Sequence, residues 1–553
     1  MANIKIPRKK FEKEIGPLTE EMQEKISMFG TPLEDFDNNE IELEIFPNRP
    51  DMLSYEGFKR AFLAFLGKKT GLKKYKLKKP EKNYKVYVDS SVKNIRPYTV
   101  CAIAKKIRFD DEKIKEIIEL QEKLHLTIGR KRKKVAIGIY PLEKIKPPII
   151  FKALEPDKIH FTPLEAQKEM SGLEILQKHP TGQEYAHLLS GKTKFPIFID
   201  SENNILSMPP IINSHSTGRI DEKTKEIFIE CSGHDLETLK KCLNIIITTL
   251  YDMGADIYQM EIDNKKKENT PDLTPEITKI SIENTNKILG TEIIEKEMKK
   301  LLEKSGHDYN PKAKKVESPA WRNDILHELD IIEDIAITYG YENLEPVFPE
   351  IATTGQEAYE EKIKRKIAEI LSGLGFLEVS NFHLTTKRSQ IKNMGLNEKN
   401  ISERFTKIEE SKTDYSLLRE NLSHYLLKNL SENIDSEYPQ KIFETGRIFK
   451  LSQENKIIEK ESLSISITPG NFTELKQTLE YLFKMLDLKI QIKEAKEKPE
   501  HMIEGRTAEI ILNEKTIGYI GEIHPKILKN LKIKMPVSIL ELDLEDVFEG
   551  LES

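Results

Sequence analysis

Short apolar and polar patterns divide the first half of the chain into strands and helices. Residues 42–46 alternate between polar and apolar positions, which is typical of a half-buried strand. Residues 53–66 carry apolar side chains at helical spacing. Residues 135–140 and 195–200 are apolar runs bounded by turn residues, as expected for buried strands. The pattern predicts a mixed α/β structure in this half.

A later segment has a clear helical stripe. Apolar residues recur at helical spacing at Leu329, Ile332, Ile335, Ala336 and Tyr339. Gly340 follows where the end of a helix favours a residue that tolerates positive φ. The spacing predicts a helix that begins near Leu329 and buries one face.

Carboxylates crowd the same segment. Asp330, Glu333 and Asp334 stand at i, i+3 and i+4, where like charges cost about 0.2–0.5 kcal/mol per pair on an exposed helix. Asp324, just upstream, can cap the helix or fold back toward them. An all-oxygen cluster suits Mg²⁺. Acidic residues near a helix N-terminus are also stabilised by about 0.3–1 kcal/mol without a metal. Both interpretations remain open.

Composition limits the architecture and the compartment. A chain of 553 residues is too long for one core and should form three to five domains. No run of 18 apolar residues is present, and the N-terminus lacks the apolar segment of a secretory signal. Three cysteines without metal spacing argue against a disulfide framework. We expect a cytoplasmic protein that does not enter membranes.

The net charge of −5 does not indicate a nucleic-acid binder, but the charge is uneven. Seven lysines crowd residues 68–79, and residues 130–134 form a second basic run. Such clusters can contact phosphates, although many are only solvated linkers. Both interpretations stay open for the first cluster.

Two segments resemble one known family. Pro319, Trp321, Arg322 and Asp324, followed by residues 328–341, resemble the B5 domain of the phenylalanyl-tRNA synthetase β subunit. The resemblance implies that Asp324, Asp330, Glu333 and Asp334 are magnesium ligands. Residues 46–57 are similar to a segment in the N-terminal region of the same family. Pro50 and Asp51 there also fit a stiffened turn with an Asp helix cap.

Residues 86–268 resemble the B3/B4 module of the archaeal and eukaryotic family members. That module hydrolyses tyrosine wrongly attached to tRNA, and hydrogen bonds to the extra hydroxyl give strong discrimination. The resemblance implies the editing candidates Leu206, Asn213, Ser214 and Asp235. Ser214 also fits a turn residue and Asp235 an N-cap. Tyr140 and Pro141 replace a polar pair found in many relatives, which puts a role for that loop in doubt.

The last block, residues 355–553, is similar to the family's catalytic-like module, which has the antiparallel class II synthetase fold. Residues 443–447 stand where a true class II enzyme has an Arg-x-Glu pair to clamp ATP. An ATP site needs paired cations and metal-holding carboxylates, and this block shows no convincing set. We expect a scaffold that dimerises with a partner's catalytic domain.

The predicted fold class is a multidomain α+β protein. The predicted blocks are an N-terminal B1-like domain with a linker at 1–85, a mixed α/β B3/B4-like module at 86–268, a winged-helix-like B5 domain at 269–347, and the class II-like module at 355–553. The resemblance implies an α₂β₂ ligase in which the α subunit uses ATP to charge tRNA(Phe), and the β subunit supports it, contacts the tRNA and edits.

Two alternatives remain. The chain could be only an interaction protein with a decayed editing module, which hydrolysis of mischarged Tyr-tRNA would test. It could instead be a nucleic-acid-binding regulator built on the winged-helix-like block, which would have no partner of synthetase size.

Overall fold

Two compact units make up the chain, Met1–Phe348 and Pro349–Ser553. The computed structural model describes residues 2–264, 266–351, 353–396, 405–452 and 454–552.

The first unit begins with a three-stranded antiparallel sheet. In spatial order its strands are Ala2–Pro7, Glu40–Ile45 and Leu33–Phe36. The helices beside it are Arg8–Glu14, Glu20–Met28 and Tyr55–Phe65. Ile41, Leu43 and Ile45 are buried in the middle strand while their neighbours are partly exposed, so the predicted alternation is confirmed.

The expected cap of the third helix is wrong. Ser54 caps it, since its Oγ accepts a hydrogen bond from the Gly57 N–H at 3.1 Å. Asp51 lies in the 3₁₀ turn Pro50–Met52 and accepts two hydrogen bonds of 2.9 Å from the Arg49 guanidinium. Asp51 is therefore the buried partner of an arginine and not a capping residue.

A large mixed sheet dominates the rest of the first unit. In spatial order its strands are Ile212–Asn213, Ile205–Met208, Phe195–Ile199, Ile149–Leu154, Lys85–Val88, Asp256–Asn264, Tyr98–Lys105, Ile227–Gly233 and Val135–Pro141, with Lys266–Thr270 paired to Asp256–Asn264. The helices of this block are Asp111–Leu126, Gly172–Lys178, Pro180–Tyr185 and Leu236–Asp252, and a small pair of strands is His160–Phe161 and Met170–Ser171. Both predicted buried strands are confirmed.

The next block combines a small sheet with three helices. The strands are Glu276–Lys279, Lys315–Ser318 and Asp308–Asn310 in spatial order, and the helices are Ile282–Leu289, Glu295–Lys304 and Glu328–Tyr339. The last helix ends at Gly340 with φ of 93°, as predicted. Likeness to a winged helix stays a prediction.

The buried face of that last helix contains Ile332, Ile335 and Ala336 as predicted, but it differs from the predicted stripe at its start. Leu329 is 51% exposed, whereas Ile331 is fully buried. Asp334 lies one turn after Ile331 and is also buried, because it binds Arg322 and His307. The ion pair of Asp334 therefore places the Ile331 side of the helix in the core. The spacing of apolar residues alone does not predict this burial.

The second unit is built on a seven-stranded sheet. In spatial order its strands are Leu377–Glu378, Gln440–Leu451, Ile457–Thr468, Ser538–Asp543, Lys515–Ile523, Met502–Leu512 and Gln491–Glu494. All pairs are antiparallel except the first. The helices are Tyr359–Gly373, Ser423–Glu432, Phe472–Met485, Pro525–Asn530 and Glu545–Glu552, and a small strand pair is Leu384–Thr386 and Tyr415–Leu418.

All three cysteines are buried free thiols, in agreement with the prediction of no disulfide framework. Within the described ranges, no helix is both long and apolar enough to cross a membrane.

Candidate functional site

A cavity of about 190 Å³ lies at the large sheet of the first unit. The helix Asp111–Leu126, the strand Ile227–Gly233 and the hairpin formed by Ile205–Met208 and Ile212–Asn213 supply its walls. Its main polar side chains are Glu122, His125, Arg132, Ser207, Asn213 and Glu230.

Glu230 is the most unusual group in this cavity. It is 2% exposed on an otherwise apolar strand, and its Oε2 atom is buried without a hydrogen-bond partner among the described residues. Burial raises the pKa of Glu230 to about 8, although the Arg96 guanidinium acts in the opposite direction. At neutral pH the carboxyl group is therefore largely protonated and can donate as well as accept a hydrogen bond.

Tyr140 brings a phenol to the same place. Its hydroxyl lies 3.3 Å from Asn213 Oδ1 and 3.3 Å from Glu230 Oε1. Gly138 makes this possible, because a Cβ atom there would lie 2.1 Å from the Tyr140 hydroxyl and 2.7 Å from Glu230 Oε1. Tyr140, which departs from the family pattern, therefore contributes its hydroxyl group beside the cavity.

The opposite wall is held by a histidine and an arginine. His125 Nε2 accepts a hydrogen bond from the Ile137 N–H at 2.8 Å, so the proton is on Nδ1, which faces Glu122 at 3.2 Å. Burial lowers the pKa of His125 and keeps it neutral. The Arg132 guanidinium donates to Ile211 O at 2.8 Å and stacks on the Tyr185 ring. These contacts fix the wall in one arrangement.

Of the predicted editing residues, Asn213 alone lines the cavity. Leu206 is fully buried in the core, and its carbonyl accepts a hydrogen bond from the Ser214 N–H at 2.8 Å. The Ser214 hydroxyl lies 3.0 Å from the Ser216 hydroxyl. Leu206 and Ser214 therefore hold the hairpin that carries Asn213 and Ser207.

Asp235 occupies the predicted alternative position, the N-cap of the helix Leu236–Asp252. Its Oδ1 accepts a hydrogen bond from the Glu237 N–H at 3.2 Å, and its Oδ2 accepts one from the Thr238 hydroxyl at 2.7 Å. The side chain is exposed and does not line the cavity. Its part in editing stays a prediction.

The second predicted site is the carboxylate cluster of the helix Glu328–Tyr339. Asp324 accepts hydrogen bonds from Arg322 at both oxygens, at 2.8 and 2.6 Å. Asp334 Oδ2 lies 2.9 Å from Arg322 Nη1 and 2.7 Å from His307 Nε2. Burial alone would raise the pKa of Asp334, but Arg322 and His307 hold it well below its usual range. Arg322 thus neutralises two of the four predicted ligands.

The other two carboxylates are less engaged. Asp330 Oδ2 accepts hydrogen bonds of 2.7 Å from the Leu326 and His327 N–H groups, which leaves Oδ1 free. No protein donor among the described residues reaches Glu333, and partial burial together with Asp334, Asp324 and Asp330 raises its pKa.

The four side chains do not converge as the sequence predicts. In the described part of the chain, no group of three or more acidic, His or Cys side chains is arranged to hold a metal ion. The free oxygens of Glu333 and Asp330 are hard ligands that fit a hydrated Mg²⁺, with Asp324 and Asp334 as the charged surroundings. These carboxylates therefore fit an Mg²⁺ ion that is bound through its water molecules. They do not offer the ion four direct ligands.

The second unit uses the residues expected at an ATP clamp for its own packing. Glu444 accepts hydrogen bonds from Arg419 Nη1 at 2.6 Å and from Asn381 Nδ2 at 2.7 Å. The side chains of Arg419 and Glu444 are each 2% exposed. Arg447 is paired with Glu459 and Glu461 on the surface. Arg419 and Glu444 are therefore occupied by each other, whereas Arg447 is half exposed and held only by surface ion pairs.

Comparison with known families and proteins agrees with the sequence resemblance. Residues 278–341 match the family described as the tRNA synthetase B5 domain, and residues 344–544 match the phenylalanyl tRNA synthetase beta chain CLM domain. These matches define the class of the protein as a part of an aminoacyl-tRNA synthetase.

Proteins that are similar to this chain over most of its length identify one family within this class. The phenylalanine–tRNA ligase beta subunits of Thermococcus sibiricus and Pyrococcus horikoshii are 41% and 40% identical to this chain, over 91% of it and 90% of their own length. That of Archaeoglobus fulgidus is 35% identical over 97% of both. This chain belongs to the family of phenylalanine–tRNA ligase β subunits. This family membership favours a synthetase subunit over the alternative of a free nucleic-acid-binding regulator.

A solved structure is also similar. The crystal structure of an N-terminal fragment of the phenylalanyl-tRNA synthetase β subunit from Pyrococcus horikoshii aligns with a TM-score of 0.58 and 40% identity. The alignment covers 61% of this chain and 99% of the fragment.

Proposed function

We propose that this chain supports charging of tRNA(Phe) with phenylalanine in a cytoplasmic α₂β₂ complex, in which the α subunit binds ATP and carries out activation and transfer. The observation that carries this division of labour is the closed Arg419–Glu444 pair, because a buried and satisfied ion pair cannot clamp a nucleotide. The blocks 1–85, 86–268, 269–347 and 355–553 are the proposed domains, and tRNA(Phe) is the proposed RNA partner.

The cavity of the first unit is the proposed editing site for Tyr-tRNA(Phe). The substrate phenol would meet a protonated carboxyl at Glu230 and the amide of Asn213, both of which can exchange hydrogen bonds with a hydroxyl. A phenylalanine ring has no hydroxyl to exchange a hydrogen bond with Glu230 Oε2, which is buried without a partner among the described residues, and leaving such a group unpaired costs about 1–3 kcal/mol. The cavity therefore favours tyrosine, and Leu206 and Ser214 position the hairpin.

Asn213→Ala is expected to slow hydrolysis of Tyr-tRNA(Phe) by the complex about tenfold or more, because one polar contact with the substrate in the cavity is lost. Formation of Phe-tRNA should stay near the wild-type rate. The matched control is Asn94→Ala, which removes an exposed amide of the same block that does not line the cavity and should leave hydrolysis normal. Ser214→Ala should have a smaller effect than Asn213→Ala, since its hydroxyl contacts Ser216.

Two results would contradict this site. One is a wild-type hydrolysis rate in Asn213→Ala. The other is an absence of Tyr-tRNA hydrolysis by the wild-type complex, which would favour the alternative of a decayed module in which Tyr140 only fills space.

The helix Glu328–Tyr339 is the proposed Mg²⁺ site, with Asp324, Asp330, Glu333 and Asp334 as its carboxylates. Glu333 and the free oxygen of Asp330 would hold the hydrated ion, while Asp324 and Asp334 stay bound to Arg322. The ion would relieve the repulsion among these carboxylates and so stabilise the block. The role is structural.

Millimolar Mg²⁺ is expected to raise the melting temperature of the wild-type chain, because an ion that binds only the folded state adds about 2.7 kcal/mol at 100 times its Kd. EDTA should reverse the rise, and Glu333→Gln should abolish it. Glu297→Gln removes an exposed carboxylate from another helix of the block and is the control. Equal Mg²⁺ responses in Glu333→Gln and Glu297→Gln would mean that Glu333 holds no ion.

A further inference from the structure

A second cavity of the first unit, about 330 Å³ in volume, lies between the helix Tyr55–Phe65, the segment 69–73 and residues 319–322. Cations outnumber carboxylates on its walls. The cations are Arg49, Lys59, Arg60, Lys69, Lys73 and Arg322. The carboxylates are Asp51, Glu56 and Asp252. The cavity is therefore electropositive at its surface.

The other carboxylates that pair with these cations lie behind the wall. Glu14 binds Lys59, and Asp324 and Asp334 bind Arg322, but none of the three lines the cavity.

Arg60 supplies the second and independent observation. Its side chain is 7% exposed, and its Nη1 donates hydrogen bonds to Tyr75 Oη at 3.0 Å and Asp252 Oδ2 at 2.9 Å. The guanidinium lies 4.8 Å from the centre of the Trp321 ring, which fixes its plane. Its Nη2 is buried without a hydrogen-bond partner among the described residues. Buried N–H donors are rarely left unpaired, so this one is available to an acceptor in the cavity.

Two further arginines flank the same space. Arg49 donates two hydrogen bonds to Asp51, and the charges of Arg322 and Arg60 also act on this carboxylate. Each of the three guanidinium groups has its own carboxylate partner: Asp51 for Arg49, Asp252 for Arg60, and Asp324 with Asp334 for Arg322. All three arginines line the same cavity. Lys69 is exposed and has no ion-pair or hydrogen-bond partner for its side chain within the described ranges. It can close over a ligand without first breaking another contact.

We propose that this cavity binds the phosphate group of a small molecule, such as a phosphate monoester or pyrophosphate. Planar guanidinium forks match the geometry of phosphate oxygens, and their charge-assisted hydrogen bonds are about twice as strong as neutral ones. The volume falls in the range of small-molecule pockets, roughly 300–1,000 Å³. Ala61, Leu63, Ala64 and Pro319 provide an apolar part of the wall for the remainder of the molecule.

Titration calorimetry of the full chain without an α subunit, with inorganic phosphate and with pyrophosphate, tests the proposal, because the nucleotide site proposed for the α subunit would itself bind pyrophosphate. We expect saturable binding that is weakened about tenfold in Lys69→Met, because one charge-assisted contact is lost. Lys74→Met is the matched control, since Lys74 is also exposed and nearby but does not line the cavity. Its affinity should equal that of the wild type.

Arg60→Lys probes the buried donor. It keeps the positive charge but removes the second Nη atom, so pyrophosphate affinity should fall about tenfold or more. Lys69 is on the surface, and its variant remains informative if Arg60→Lys fails to fold.

Absence of saturable binding of either anion would overturn the proposal, and so would equal affinities in Lys69→Met and Lys74→Met. Weaker tRNA binding in Lys69→Met without any pyrophosphate binding would also overturn it, in favour of an RNA contact. None of these results depends on whether the editing cavity is active.

Discussion

Glu444→Gln is expected to destabilise the sheet of the second unit by about 3–5 kcal/mol, since it leaves the buried charge of Arg419 without its partner. The strand Gln440–Leu451 carries Glu444 in the interior of that sheet. Native-state hydrogen exchange of peptides from this strand should therefore become faster by roughly two to four orders of magnitude. This method does not require that both units unfold in one step.

Glu459→Gln is the matched control on the neighbouring strand. Glu459 pairs with Arg447, but both side chains are about half exposed, at 53% and 51%. Exposed pairs contribute about 0–1 kcal/mol, so exchange should change little. Similar exchange rates in the two variants would show that the Arg419–Glu444 pair does not hold the sheet, and the proposed division of labour between subunits would lose its structural basis.

Glu230→Gln is expected to change how the stability of the first unit depends on pH. The pKa of Glu230 is about 8 in the folded chain and near 4.5 in the unfolded chain. The protonated carboxyl therefore contributes stability that is fully present below pH 4.5 and is lost as the pH rises to 8. Between pH 6 and pH 8, the wild type should lose about 2–3 kcal/mol relative to the glutamine variant, at about 1.4 kcal/mol per pH unit.

Urea unfolding followed by the fluorescence of Trp321, the only tryptophan of the chain, measures this difference. Trp321 packs in the same core as Ile227 and Ile229 of the strand that carries Glu230. Glu226→Gln, which removes an exposed carboxylate just before the strand, controls for the change in net charge. A stability difference between wild type and Glu230→Gln that is the same at pH 6 and pH 8 would mean that Glu230 is already ionised in the folded chain.

Local patterns in the sequence predicted much of the secondary structure. The strand Glu40–Ile45 alternates as expected, and the helix Tyr55–Phe65 lies within the predicted residues 53–66. The errors concern polar residues whose hydrogen-bond partner the pattern of apolar and polar positions does not identify. Asp51 looks like a helix cap, but Arg49 binds it and Ser54 takes over the cap.

The contacts within the two candidate sites were even harder to predict from local sequence patterns. Asp334 and Asp330 are close in sequence, yet His307 and Arg322 draw Asp334 into the core. Local spacing carries no information about such partners. Asn213 was predicted, whereas Glu230 was missed, although a single carboxylate within an apolar strand was a signal that could have identified it. Its contact with Tyr140 joins residues that are 90 positions apart, which only the folded sheet brings together.

The most direct test of the proposed role is a reconstitution assay. The purified chain, with and without a phenylalanine–tRNA ligase α subunit, is assayed for phenylalanine-dependent ATP–pyrophosphate exchange and for charging of tRNA(Phe). We predict no exchange by the chain alone, because Arg419 and Glu444 bind each other, and we predict charging once the α subunit is added. Robust exchange by the chain alone, or no charging in the presence of both subunits, would contradict the account.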